Sequence, residues 1–447
     1  MLFRGFSNRR FGTKAEGLSR IGEQIFLPLS WFKLWRMKYL YTIGIYLYNL
    51  LINIAAIFNK KAATMLRGRR ETFSKIKQSF EPGDHVFWFH CASLGEFEQG
   101  RPVIEMAKAE KTGIKILLTF YSPSGYEVRN NYAKADCVVY LPADTLRNAH
   151  RLINMVNPEK AVFVKYEFWY NYLGDLQRKK IPVYLISGIF RPSQPFFRWY
   201  GRYFLNILKR FNHLFIQDNK SAALLERNQV LNYTVSGDTR FDRVLAISKS
   251  EDKIPKINEF KAGKRLIVAG STWPPEEEII AKYLDKENTN IKFVIAPHNI
   301  ETSNIDRIEK LLKVPYARYS QLKDEDAIPV DIQVLIIDSI GLLSSIYRYA
   351  DIAVIGGGFG KGIHNILEAA TWAVPVMFGP RYDKFMEAVN LIEMGGARVF
   401  DSYNSFLSSV NELLSNPALL EKTGRINLTY INTSIGATKM ITSGLLT

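Results

Sequence analysis

Two blocks of short apolar runs, separated by helix-length mixed sequence, limit what this chain can become. The first block offers candidate strands at 85–90, 114–120, 137–141, 161–165, 182–187 and 214–217. The second offers 265–269, 291–296, 333–337, 351–355 and 374–378. Strands this apolar, with helices between them, read as parallel sheets covered on both faces. Two blocks predict two doubly wound α/β domains, and 447 residues are enough for two full cores. Residues 248–264 are charged, poor in aromatics and contain Pro255, which reads as a linker. Open α/β sheets bind ligands at the carboxyl ends of their strands, so informative residues should follow strands.

Composition narrows the partners. An apolar fraction of 47% with 13% aromatics excludes a largely disordered chain. Two cysteines, Cys91 and Cys137, exclude a disulfide framework and a Cys-rich zinc site and suit a reducing compartment. No cluster with metal-ligand spacing is evident, so no metal and no cofactor is expected. The net charge of +16 calls for an anionic partner: nucleic acid, acidic lipid or a phosphorylated substrate. No aromatic-basic RNA motif or helix-turn-helix pattern accompanies it, so a membrane-tethered nucleic-acid binder has only the charge in its favour.

Residues 39–58 carry no charged side chain. Twenty residues make a helix of about 30 Å, long enough to cross a hydrocarbon core. No cleavage site follows; Lys60, Lys61, Arg67, Arg69 and Arg70 do, which argues against a signal peptide. The segment either spans with its basic flank in the cytoplasm or lies along the surface. Thr42, Tyr46, Asn49 and Asn53 share one helix face, as an interfacial helix or one packed on the protein requires. The basic flank would meet anionic headgroups at on the order of 1 kcal/mol per cation. A buried core helix is the bland alternative. Residues 1–36 are basic and contain Trp31, Phe32 and Trp35 before Met37, itself a natural start; they read as an upstream extension or a further surface anchor.

Several motifs follow strands. His90-Cys91-Ala92-Ser93-Leu94-Gly95-Glu96 follows the first, with a helix expected to start near Gly95. Glu96 there can take a proton from a hydroxyl nucleophile, or simply complement the helix dipole. Lys165-Tyr166-Glu167-Phe168-Trp169 places a carboxylate between aromatics. Arg240, in Gly237-Asp238-Thr239-Arg240-Phe241-Asp242, can hold a phosphate or carboxylate, or pair with Asp238 or Asp242. Gly270-Ser271-Thr272-Trp273 is neither a Walker loop nor a Gly-x-Gly-x-x-Gly turn. Ala296-Pro297-His298 contains a lone histidine, a type more often structural than catalytic. Residues 356–362 hold five glycines before Ile363-His364-Asn365-Ile366-Leu367-Glu368. A helix beginning near His364 or Asn365 would aim free N–H groups at an anion, with Glu368 one turn inside to accept from a ribose hydroxyl.

Taken together these motifs resemble the 3-deoxy-D-manno-octulosonic acid (Kdo) transferases of lipopolysaccharide synthesis. The resemblance runs from the apolar helix to about residue 430. His90 to Glu96 is similar to that family's His-x-x-Ser-x-Gly-Glu, and Leu118-Thr119-Phe120-Tyr121-Ser122-Pro123-Ser124-Gly125 to its Thr-x-Phe-Thr-Pro-Thr-Gly. Gly270-Ser271-Thr272-Trp273 with Glu276-Glu277-Glu278 resembles its Gly-Ser-Thr…Gly-Glu-Glu region. Gly362 to Glu368 resembles Gly-Gly-His-Asn-Pro-Leu-Glu. The resemblance implies a GT-B fold: two Rossmann-like domains facing a cleft, with an N-terminal membrane-anchoring helix. It implies inverting transfer of Kdo from CMP-Kdo to a lipid A precursor at the cytoplasmic face of the inner membrane, on anionic lipid. By position, Glu96 becomes the proton acceptor, and Glu167 and Arg240 stabilise the transition state. Ser271, Pro297, His298, Ile340, Gly341, Leu342 and Asn365, Ile366, Leu367 and Glu368 fall at donor contacts.

The domain plan is then 1–36 extension, 37–70 anchor helix and basic flank, 71–247 acceptor domain, 248–264 linker and 265–447 donor domain. The chain departs from the family at Lys165, where a glutamate is usual, at Arg240, usually lysine, and at Pro297, usually arginine. Gly341-Leu342-Leu343 and Asn365-Ile366-Leu367-Glu368-Ala369 also depart from Gly-Glu-Leu and Asn-Pro-Leu-Glu-Pro. The nearest rival is another GT-B enzyme with a UDP-sugar donor, such as a lipid-A-disaccharide synthase or a nucleotide-sugar epimerase.

Overall fold

The computed structural model describes residues 29–447 apart from 199–200, 250–253, 288–289, 324 and 326. The expected extension at 1–36 therefore lies largely outside the described residues. Two helices come first, α1 (Leu29–Phe58) and α2 (Lys60–Ser79), joined at Asn59, whose side chain caps α2 by accepting from Lys61 N–H and Ala62 N–H.

The first sheet has seven strands: β1 (Val86–Cys91), β2 (Lys115–Phe120), β3 (Cys137–Tyr140), β4 (Lys160–Val164), β5 (Val183–Gly188), β6 (His213–Ile216) and β7 (Tyr233–Val235). The second also has seven: β8 (Arg265–Thr272), β9 (Ile291–Pro297), β10 (Tyr316–Arg318), β11 (Val334–Ile336), β12 (Ile352–Ile355), β13 (Val376–Phe378) and β14 (Ala397–Val399). All pairs are parallel, and the spatial orders are 3-2-1-4-5-6-7 and 10-11-9-8-12-13-14. Every residue of β1, β4 and β12 is buried, as strands covered by helices on both faces must be. The two doubly wound domains expected from the apolar runs are thus present. Chain order reverses between β1 and β4 in one sheet and between β8 and β12 in the other. Those reversals open the crevices where α/β folds take ligands.

Two segments join the halves differently from a plain linker. Within 248–264, Pro255–Lys261 is a helix that buries Ile257 and Phe260 in the second domain's core. The last helix, Ala437–Leu446, returns to the first domain and buries Ile441 and Leu445 among Phe87, Phe89 and Phe215.

Helix α1 is no core helix. Its Tyr39–Phe58 stretch is long and apolar enough to cross a membrane, with mean hydropathy 1.6 and only 6% of the window buried. Leu40, Ile43, Leu47, Leu50, Ile54 and Ile57 are exposed. The face turned to the protein is Tyr41, Thr42, Ile45, Asn49 and Ile52. Of the expected polar stripe, Thr42 and Asn49 lie on that face, while Tyr46 and Asn53 are exposed.

Candidate active site in the cleft

The first crevice is built from the ends of β1 and β4. After Cys91 the chain turns through Ala92 and Ser93 into the helix α3 (Leu94–Glu110), so the expected helix start near Gly95 is observed. Glu96 sits in the first turn, half-buried, and its Oε2 accepts from Ala92 N–H at 2.5 Å. Burial lifts its carboxyl, and the Glu167 carboxylate lifts it further, to about 7. The Ala92 N–H and the Lys165 ammonium pull the other way. A carboxyl poised there is half-ionised at neutral pH, the condition a general base needs.

Glu167, after β4, is buried and held from two sides. Its Oε2 lies 3.0 Å from His90 Nε2 and accepts from Trp169 Nε1–H at 2.6 Å. His90 is fully buried, with Nδ1 2.9 Å from Thr119 Oγ1, and Trp169 stacks on Tyr121 with centroids 4.8 Å apart. Glu167 is thereby anchored in a polar network beside Glu96.

Arg240 begins the helix Thr239–Ser248. Its guanidinium pairs with Asp238 Oδ2 at 2.7 Å and, across the cleft, with Glu387 Oε1 at 3.1 Å. Although burial opposes the charge, these two carboxylates hold Arg240 firmly protonated. The ion-pair alternative thus holds for Asp238. Asp242 instead accepts from Gly436 N–H and Thr438 N–H and ties down the returning C-terminal helix.

The second crevice carries a flat stack of rings. Trp273 follows β8, His298 follows β9 and His364 follows the glycine run after β12. The Trp273 and His298 rings lie 4.7 Å apart and the His298 and His364 rings 4.5 Å apart, both nearly parallel. Trp273 Nε1–H donates to His364 Nε2 at 3.0 Å. Burial and neighbouring His298 push His364 down to about 4, so it is neutral at physiological pH. Trp273 and His364 were not among the candidates expected from the sequence. The signal for them was their position: each follows a strand at the reversal of sheet order, or sits one residue before a candidate.

The glycine run behaves differently from expectation. The helix after it is one turn, Leu367–Ala370, and starts later than His364. Several of the run's N–H groups are engaged within the protein: Gly357 donates to Glu276 Oε1 at 2.8 Å, Gly360 and Gly362 to Gly357 O, and His364 to Gly356 O. Buried Glu276, which also accepts from Trp273 N–H, thus ties the start of the run to the turn after β8. Gly357 adopts φ 92°, and a Cβ there would stand 2.5 Å from Gly362 O, so glycine is needed for the turn itself.

The other donor candidates divide. Ile340 is 80% exposed, with Gly341 and Leu342 beside it, and His298 is exposed; these are open to a ligand. Ser271, at φ 52°, is half-buried. Pro297, Ile366 and Leu367 are buried, and the side chains of the last two pack in the second domain's core. Asn365 Nδ2–H donates to Glu368 Oε1 at 3.0 Å, and Asn365 Oδ1 accepts from Leu367 N–H. Burial lifts the Glu368 carboxyl, and the Arg243 guanidinium opposes that. Glu368, Arg243, Gly341 and Ser344 line an interdomain cavity of about 1010 Å³. A second, of about 490 Å³, lies between Lys165, Arg240 and Glu387. Among the described residues no cluster of three metal-ligating side chains occurs.

Against known proteins, residues 67–243 match the family model described as 3-deoxy-D-manno-octulosonic-acid transferase (kdotransferase). The chain is 27% identical over 347 residues to the 3-deoxy-D-manno-octulosonic acid transferase of Aquifex aeolicus, covering 76% of this chain and 89% of that protein. It is 26% identical over 375 residues to the Haemophilus influenzae enzyme of the same name, covering 80% and 85%. The UDP-GlcNAc 2-epimerase of Neisseria meningitidis superposes with TM-score 0.57 at 17% identity, covering 81% of this chain and 99% of that one. That likeness concerns the fold, which is the GT-B arrangement. The resemblance read from the motifs is borne out, and with it the class, a glycosyltransferase.

Proposed function

We propose that this relative of the Kdo transferases moves Kdo from CMP-Kdo to a hydroxyl of a lipid A precursor, with inversion and with Glu96 as the base. The observation that carries the proton-transfer step is Glu96 itself. It sits in the first helical turn after β1, at the reversal of sheet order, and is poised near 7. The acceptor hydroxyl oxygen attacks the anomeric carbon as its proton passes to Glu96. The bond from that carbon to the phosphate oxygen breaks, and CMP leaves with the electron pair. His90, Trp169 and Glu167 hold the wall beside the base, and Arg240 keeps a fixed positive charge between the domains.

The nucleotide is assigned to the second crevice, near His298, the Ile340–Leu342 loop and the Asn365–Glu368 pair. Side-chain cations and the open loop would meet the leaving phosphate. No metal is invoked. The apolar α1 and the basic start of α2 suit residence on an anionic membrane, the cytoplasmic face of the inner membrane on this reading, where a lipid acceptor is found.

The test is an assay of purified protein in detergent with CMP-Kdo generated in situ and a tetra-acylated lipid A precursor, followed by mass spectrometry. A gain of one or more Kdo units on the lipid is expected. Consumption of a UDP-sugar instead, with CMP-Kdo untouched and a known transferase active alongside, would favour the rival donor.

A further inference from the structure

The cavity of about 490 Å³ between the sheets holds a surplus of positive charge. Lys165, Arg191, Arg240 and Lys384 line it, against Asp218, Asp238 and Glu387. Arg240 is matched by Asp238 and Glu387. Asp218 accepts from Ser221 N–H as a helix cap. Among the described residues Lys165 has no ion pair; its ammonium lies 5.5 Å from the Tyr166 ring centre. The backbone fixes it there. Lys165 has φ 67°, a left-handed conformation, and its N–H donates to Ile186 O at 2.9 Å. A half-buried, unpaired ammonium at a strand end, in a conformation that is costly for a side-chain-bearing residue, is a stored positive charge awaiting an anion.

We propose that Lys165 binds the carboxylate that the transferred sugar carries on its anomeric carbon. The inference rests on the Kdo-transfer reading for the identity of the sugar. The position supplies the rest. Lys165 and Arg240 line the same cavity, and Glu96 and Lys165 follow the carboxyl ends of the paired strands β1 and β4, so the three groups gather at one side of the first crevice. The attacked carbon must come within reach of Glu96, and the sugar's carboxylate is attached to that same carbon. The nucleotide candidates His298, Asn365 and Glu368 belong to the other sheet, so the leaving phosphate lies farther into the second domain. Lys165 thereby discriminates a keto-acid sugar from a neutral hexose, which would leave the ammonium unpaired.

Two measurements test this. In the first, wild-type protein is treated at pH 8 with a small activated ester, and acylation of Lys165 is followed by peptide mass spectrometry. Free Kdo should slow that acylation at least threefold and CMP alone should not. In the second, Lys165→Met should raise the donor KM about tenfold while kcat stays within threefold, and Lys165→Arg should recover most of the loss. Protection by CMP but not by free Kdo overturns the assignment in favour of the phosphate. Equal labelling under both, with an unchanged donor KM, overturns it outright. Protection by free Kdo in a protein that transfers no Kdo to lipid would keep the carboxylate subsite and remove the transfer reading. Transfer that is indifferent to Lys165→Met would do the reverse.

Discussion

Arg240 Nη1 lies 3.1 Å from Glu387 Oε1, and the two residues belong to different domains. The same guanidinium pairs with Asp238 on its own side. Both carboxylates are nearly buried, so neither has ready access to water in place of its partner. Arg240→Met would leave two facing anions uncompensated. A loss of about 3–5 kcal/mol of unfolding free energy is expected from breaking a buried pair of this kind. Arg240→Lys keeps the charge but cannot reach both carboxylates with one planar fork, so its melting temperature should fall between wild type and Arg240→Met. Thermal unfolding of the three proteins checks the order.

Glu96→Gln tests the base. Transfer should fall by about 10²–10⁴-fold, the usual worth of a positioned general base. The wild-type kcat/KM should rise with pH, tenfold per unit below about 7, and level off above it, because only the ionised carboxylate accepts the proton. Glu167 contributes to holding that value up, so Glu167→Gln should move the acid limb to lower pH even where it lowers the rate.

The stability consequence of Glu96 has the opposite sign from an ordinary salt-bridged carboxylate. Its folded value of about 7 lies above the unfolded 4.5. Below 4.5 both states are protonated and nothing is lost. Between 4.5 and 7 the unfolded chain releases the proton and the folded one keeps it, so stability drains away as pH rises. Glu96→Gln, neutral throughout, should therefore unfold later than wild type at pH 8, and the difference should shrink toward pH 5. Equal melting temperatures at both values would contradict the placement of this carboxyl in a desolvated crevice.

Much of this was legible in the amino-acid order, and the rest was not for definite reasons. Runs such as Phe87-Trp88-Phe89 and Ile352-Ala353-Val354-Ile355 are apolar on both faces, which only a doubly covered parallel strand satisfies. Tyr316–Arg318 and Ala397–Val399 are three-residue edge strands with one side open, too short to display a pattern. Glu96 could be placed because its turn residues and helix start are neighbours in sequence. The fate of the glycine run could not, because its Gly357 N–H is met by Glu276, 81 residues earlier. Pro255 read as a chain breaker, yet it stands at the first helical position, where it breaks nothing. Ile257 and Phe260, one turn apart, were the overlooked sign of a helix there. The return of Ile441 and Leu445 to the first domain has no local signature at all.

The glycine run supplies a further test. Gly357→Ala would force a side chain into φ 92° with its Cβ against Gly362 O. The turn must open, and Glu276 would lose the Gly357 N–H while keeping that of Trp273. A cost of about 1–3 kcal/mol is expected. Gly360, whose added Cβ would meet only Gly357 O at 3.6 Å, should tolerate alanine with little change. Melting temperatures of the two variants compare turn geometry against mere glycine content.

Tyr41 ties the apolar helix to the first domain through a buried carboxylate. Tyr41 O–H donates to Asp144 Oδ2 at 2.6 Å, and Asp144 also accepts from Asn171 N–H and Tyr172 N–H. Burial nevertheless lifts the Asp144 carboxyl to about 6, so each of these donors is needed to keep it ionised. Tyr41→Phe removes one, at a cost of about 1.5–3 kcal/mol for a hydrogen bond to a charged group. Because the lost donor favoured the charged form, the carboxyl should climb further, and the loosening should be larger at pH 8 than at pH 5. Amide exchange along 41–56 in detergent reports it directly: faster exchange in Tyr41→Phe, with the excess growing as pH rises after correction for intrinsic rates. The helix Tyr170–Arg178, which Asp144 caps, should keep its protection, since the Asn171 and Tyr172 bonds remain. Unchanged exchange in both segments would mean that the Tyr41–Asp144 bond does not hold α1 to the domain.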